Sequence, residues 1–276
     1  MKYFLLVFVA LVYASFLNAQ EGAVDPDEYA RIFSRAGGDL LTQVPEDELL
    51  QMPAPRLPDG KPDFSGIWVD TGSHRDIRVG LLEGEEVVLL PEAQALMDSR
   101  LAKDDPEANC LPTGVPRIAP FPWRIVHAPM SGPVTHFYFL FEGNVHSYRQ
   151  IFMDGREHPE DPDPTWYGHS IGYWEGDVLV VDTVGFNDRF WFDFAGHPHS
   201  TQLHTVERFE RINYGTLRKT VTIIDPGAYE KPFTVQFDST LRPGWDIMEY
   251  VCNENNQDVE HIVGPPGQGG NQGGRL

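Results

Sequence analysis

The sequence predicts an all-β protein, an antiparallel barrel or sandwich carrying one short helix. Three observations lead there. Hydrophobic residues recur with period two through most of the chain, short glycine-containing turns separate the runs, and 12% of the 276 residues are aromatic. Period two places alternate side chains on opposite faces, so each run has one face to bury. So much Phe, Trp and Tyr can bury too much surface for the bulk of the chain to stay unfolded.

Residues 1–19, MKYFLLVFVALVYASFLNA, read as a secretory signal peptide: Lys2 is a minimal basic region, 3–16 are apolar, and Ala19 suits the position before cleavage. The stretch is short for a transmembrane helix of ~20 residues and runs into Gln20-Glu21-Gly22 without a basic stop-transfer cluster. A secreted or periplasmic protein with no membrane span in the mature chain is expected. Residues 20–61 form an acidic, proline-interrupted lead-in with a short helix around 27–35. One folded domain is expected over 62–262, followed by a disordered Gly/Pro/Gln tail over 263–276.

Within the domain, strands are expected at 65–70, 76–82, 86–90 and 123–128. Strands 134–141 and 145–152 meet at Glu142-Gly143-Asn144, and 171–174 and 178–184 flank Glu175-Gly176-Asp177, both hairpin-type turns. Further strands are expected at 202–211, 216–224, 232–240 and 246–252. The one good helix lies around 91–103 and opens on Pro91, a residue the first helical turn tolerates. Residues 153–170 hold Pro159, Pro162 and Pro164 and should be irregular; a loop of that length is often functional. About ten short strands with tight turns suit a barrel, because closure removes exposed edges. A cup-shaped barrel with an aromatic interior is the preferred form.

Cys110 and Cys252 are the two cysteines, and in an oxidising compartment they are expected to pair, tying the front of the core to its last strand. Acidic residues number 41 against 21 basic, a formal net charge of -20. That balance argues against nucleic acid and against an anionic membrane surface and favours cationic ligands or metals; a small-molecule ligand or substrate is the expected partner.

The ordered segments PDFSGIW (62–68), CLPTGVPR (110–117), DGREHPEDPDPTWYGHSIGYWEGDVLVVDTVGFND (154–188), GHPHSTQLHTVERFERI (196–212) and EYVCNENNQD (249–258) resemble a large group of secreted bacterial proteins with a calycin- or lipocalin-like look. The resemblance covers roughly 62–258 and implies export and an all-β core. Most of that group carries no assigned function, so no substrate or catalytic set comes with it.

Three constellations offer chemistry. Gly168-His169-Ser170-Ile171-Gly172 is a literal G-x-S-x-G, but strands rather than a helix should follow it, so the nucleophile-elbow context is missing. His197, His199 and His204 with Glu207 offer imidazoles and a carboxylate to Zn or Cu, although the spacing matches no standard signature. The third needs no metal: His169, His199 or His204 as general base, with Tyr167, Arg156 and Asp193 in support and Arg149 a further candidate for an anionic oxygen. The acidic run 154–164 lacks a Ca²⁺-loop pattern and reads as solvated, and the aromatic residues read as core rather than as sugar platforms. The leading expectation is a secreted small-molecule enzyme of lyase, isomerase or hydrolase type using His-centred acid–base chemistry. The alternative is a non-catalytic protein holding a lipophilic ligand or a metal in the same cup.

Overall fold

A computed structural model describes residues 45–70, 72–117, 121–129, 132–143, 147–254, 256–257 and 259–267. Nine strands close into a barrel in sequence order: β1 (Gly66–Asp70), β2 (Trp123–Ala128), β3 (His136–Phe141), β4 (Tyr148–Phe152), β5 (His169–Glu175), β6 (Val178–Val184), β7 (His204–Arg211), β8 (Thr216–Ile224) and β9 (Phe233–Leu241). Strand directions in a ring cannot alternate all the way round when the number of strands is odd. At least one seam must therefore be parallel, and it is β4 against β5. The expected antiparallel pairing holds at every other seam. A parallel seam needs a crossover rather than a hairpin, which is the structural reason for the long proline-rich loop 153–168.

Three expected strands are absent. Residues 77–80 form a 3₁₀ turn whose start is capped by the Asp76 carboxylate, and 86–90 contribute only the bridge Leu89–Tyr229. Residues 246–252 lie outside any strand, because β9 pairs with β1 and leaves the ring no free edge. Helix α1 (Glu46–Leu49) is one turn in the lead-in, and α2 (Pro91–Ser99) is shorter than expected. Signal peptide and 27–35 helix lie outside the described residues, as do 268–276 of the expected tail. Among the described residues, no helix is long and apolar enough to cross a membrane.

Cys110 and Cys252 are bonded, with Cα atoms 5.5 Å apart across a sequence separation of 142. The bridge joins the loop after α2 to the segment after β9, rather than to a last strand.

Alternation along the strands builds two apolar clusters with a polar layer between them. Trp68, Trp123, Phe139, Val181, Phe209, Leu217 and Leu241 belong to the first cluster, plugged by Leu49 and Phe64 from the lead-in. Val221, Ile223, Phe233, Val235 and Phe237 belong to the second, capped by Phe186, Phe190 and Phe192 from the β6–β7 connection. Where β1, β6, β7, β8 and β9 pass from one cluster to the other, the buried residues are Asp70, Thr183, Thr205, Glu207, Lys219 and Ser239. Charges at that depth are rare unless paired. Lys219 stands 3.5 Å from Asp70 and donates to the Pro116 carbonyl at 3.0 Å. Burial opposes ionisation of Asp70, yet Lys219 and the N–H groups of Ser73 and Gly72 hold its carboxyl below the usual range.

Candidate functional site

The parallel seam is the least paired of the barrel. Two residue pairs, Ile151–Ser170 and Phe152–Ile171, join β4 to β5, where every other seam has three or more. Over this seam lies a groove of about 540 Å³ between β4, the start of β5 and the crossover loop. Its apolar wall is Phe152, Pro159, Pro162, Trp166 and Tyr167; its polar residues include Arg149, His169 and Ser170. Tyr167 stacks on Phe141 with centroids 5.5 Å apart, and its hydroxyl meets the Ser147 hydroxyl at 2.5 Å.

The two glycines flanking His169–Ile171 are sites of close approach that leave no room for a side chain. At Gly168 (φ +65) a Cβ would come within 2.6 Å of the Val184 carbonyl oxygen, and at Gly172 within 2.5 Å of Met153 Sδ. The strand starts at His169 and continues through Gly172, so Ser170 sits on no elbow. It is buried, accepts from Arg149 Nε at 3.0 Å and meets Thr183 Oγ1 at 3.0 Å, with no imidazole among these partners.

On the outer face, His169 starts a chain of hydrogen bonds. Its Nδ1 meets His158 Nδ1 at 2.8 Å; His158 Nε2 meets Asp182 Oδ1 at 3.1 Å; His204 Nε2 meets the same oxygen at 2.8 Å. The carboxylate fixes the protons: if His158 and His204 both donate to Asp182, His158 Nδ1 becomes an acceptor for the Nδ1–H of His169. The lone pair of His169 then lies on Nε2. Burial, then the charges of His158 and Arg156, hold the His169 pKa below 6.5. Burial opposes ionisation of Asp182 too, but hydrogen bonds and charge from His204 and His158 keep its carboxyl below the usual range. Phe152 stacks on the His169 ring at 5.2 Å, and the Arg156 guanidinium lies 3.7 Å from the Phe152 centroid.

The predicted residues thus separate. His169 and Tyr167 share the groove, Arg156 stands beside them in an ion pair with Asp154, and His204 joins through Asp182 and His158. Asp193 and His199 belong to the β6–β7 connection. Asp193 accepts from His197 Nδ1 at 2.6 Å and from the Ile77 N–H at 2.5 Å, which fastens that connection to the 77–80 turn. His199 is buried between Phe190 (centroids 3.8 Å) and Phe192 (5.2 Å), where a base cannot meet a substrate in the groove.

The expected Zn or Cu quartet also dissolves. Glu207 points into the barrel while His204, three residues earlier on the same strand, points out, and His197 and His199 have the partners just given. Among the described residues, the set whose donor atoms lie within 4.8 Å of one another is Asp76, Asp193 and His197. The two Asp193 oxygens in that set already accept three hydrogen bonds.

His199 has a measurable consequence instead. Burial pushes its pKa down to about 4 from 6.5. Between those values the unfolded chain binds a proton that the folded one does not, so stability falls as pH drops from 6.5 towards 4. The full loss is about 3 kcal/mol, at roughly 1.36 kcal/mol per pKa unit. Urea unfolding at pH 7 and pH 4.5 is expected to show a smaller difference in His199→Phe than in the wild type. Equal differences would remove His199 as the cause.

His158 and Asp182 were not singled out from sequence. Asp182 had a signal, a lone acid in the apolar run Val178–Val184. His158 had none, because it reaches the sheet only through the crossover. Compared with family models, with curated proteins and with solved structures, the chain has no match in any of the three.

Proposed function

We propose that this protein is an exported small-molecule enzyme that removes a proton from an aromatic or lipophilic substrate, with His169 as general base. The observation that carries the reading is the chain His169–His158–Asp182 at the lip of the aromatic groove. A base, an orienting partner and a carboxylate anchor are in hydrogen-bond reach of one another, and the base has a lowered pKa. A neutral imidazole near pH 7 is the competent form of a base. Tyr167 lines the same groove and supplies a hydroxyl donor for an oxygen that gains charge. Elimination or isomerisation suits this set better than acyl transfer, since Ser170 is hydrogen-bonded to Arg149 and Thr183 rather than to a base. Export is supported by the signal-type segment at residues 1–19 and by the disulfide.

A chromogenic probe tests this without knowledge of the substrate. 5-Nitrobenzisoxazole loses its C3 proton to a base, breaks its N–O bond and releases a coloured cyanophenolate. Wild-type protein is expected to exceed free imidazole at equal concentration, and His169→Ala to lower kcat/KM by about 10²-fold. The pH profile should rise with a midpoint below 6.5, because burial disfavours the charged imidazolium of His169. Turnover unchanged in His169→Ala would overturn the proposal. Binding of the probe without turnover would make the groove a carrier site.

A further inference from the structure

Behind the groove, the polar layer contains side chains whose hydrogen-bonding capacity is unspent. Arg149 Nη2 donates to Thr183 Oγ1 at 2.6 Å and stands 2.5 Å from Glu207 Oε2. That contact is an ion pair but not a directed hydrogen bond. Arg149 Nη1, Thr205 Oγ1 and both Glu207 carboxylate oxygens make none either, although all four atoms are buried. The side chains of Arg149 and Glu207 are 1% and 0% exposed. Buried polar groups in native proteins are nearly always satisfied, so this concentration of unmet donors and acceptors calls for a partner.

Strand register gathers them on one side of the barrel. Ser170 pairs with Thr183 and Thr183 with Thr205 across β5, β6 and β7, and Glu207 follows Thr205 on the same inward face. Arg149 and Ser170 are also residues of the groove, and Arg149 itself reaches Thr183 and Glu207 in the layer.

We infer that Arg149, Thr205 and Glu207 form the head-group subsite of the ligand whose body occupies the groove, an assignment that rests on the groove being a small-molecule site. The chemistry of the subsite defines the class. Arg149 offers an N–H, Glu207 offers two acceptor oxygens, and Thr205 offers a hydroxyl that serves as either. The Arg149 and Glu207 charges cancel. A carboxylate head meets Arg149 but is repelled by Glu207, and an ammonium head meets the reverse. A neutral head with an acceptor beside a donor satisfies both. The ligand is therefore an aromatic or lipophilic molecule ending in a carboxamide or a hydroxy-carbonyl group.

Benzamide, benzoate and benzylamine share a ring and differ in the charge of the head. Titrated calorimetrically into the disulfide-intact protein, benzamide is expected to bind about tenfold more tightly than either ion, the worth of one net hydrogen bond to a charged group. Thr205→Val, which keeps the shape and removes the hydroxyl, should weaken benzamide about fivefold and leave the ions unchanged. Glu207→Gln leaves the Arg149 charge unbalanced and should turn the preference towards benzoate. Equal binding of the three probes, or a preference that survives both substitutions, would overturn the subsite. The outcomes separate from those of the proton-abstraction assay. Turnover of 5-nitrobenzisoxazole without a benzamide preference sinks the subsite alone; a benzamide preference without turnover sinks the catalytic reading alone.

Discussion

Arg149→Met is expected to destabilise the protein by about 3–5 kcal/mol, the cost of leaving a buried charge without its partner. Glu207 is fully enclosed and has its counter-charge in Arg149 at 2.5 Å. Taking the guanidinium away also removes the donors to Ser170 and Thr183. The double variant Arg149→Met/Glu207→Leu should recover most of that loss, because two apolar side chains of similar size suit the flanking Val181, Phe209 and Phe139 better than a half-broken pair. Urea unfolding of both variants checks this. A single-variant loss below ~1 kcal/mol would mean that Glu207 is not held as an unpaired ion. If the double variant is as stable as the wild type, the ion pair does not serve folding. Its presence between two apolar clusters then points to ligand binding as the reason for it.

The barrel was legible because its signal is local. In β7, β8 and β9, buried and half-buried residues alternate without interruption, so period two identified those strands to within two residues. Closure was legible only as a preference, and the parallel seam was not legible at all. Parity follows from the number of strands, and that number was overestimated: 76–82, 86–90 and 246–252 have strand-like composition but no free edge in a closed ring. The site was half legible for a related reason. His169 and Tyr167 lie two positions apart in sequence and share the groove. His158 and Asp182 meet them through a crossover and a strand pairing, contacts that no spacing rule encodes. His197 and His199 misled because their clustering in sequence resembled a ligand set. Intervening Pro198 and the aromatic cap send one to Asp193 and the other between two phenyl rings.

The layered interior also changes the meaning of the acidity. Of the buried acids in the polar layer, Asp70 faces Lys219 and Glu207 faces Arg149, so that layer is electrically balanced. Most of the excess of 41 acidic over 21 basic residues therefore lies outside the barrel interior. Such a shell favours solubility and disfavours polyanions, while the groove itself remains open to a neutral ligand.

Replacing both cysteines, Cys110→Ser with Cys252→Ser, is expected to cost about 5 kcal/mol by the loop-entropy relation, one of the largest single losses available to this chain. The bridge closes a loop with a separation of 142 residues that contains every strand from β2 to β9. Opening it therefore enlarges the unfolded ensemble of nearly the whole barrel. The folded side contributes little, because the segment carrying Cys252 lies outside the sheet and exposes Met248 and Val251. The loss should accordingly appear in the folding rate more than in the unfolding rate, with near-ultraviolet circular dichroism of the native state unchanged. Urea midpoints and stopped-flow refolding of the double variant against the oxidised wild type provide the measurement. A loss under ~1 kcal/mol would show that residues 246–254 detach before the barrel unfolds, so that the bridge constrains only a strap. A faster unfolding rate at unchanged refolding would place its contribution in the native packing of residues 105–111 instead.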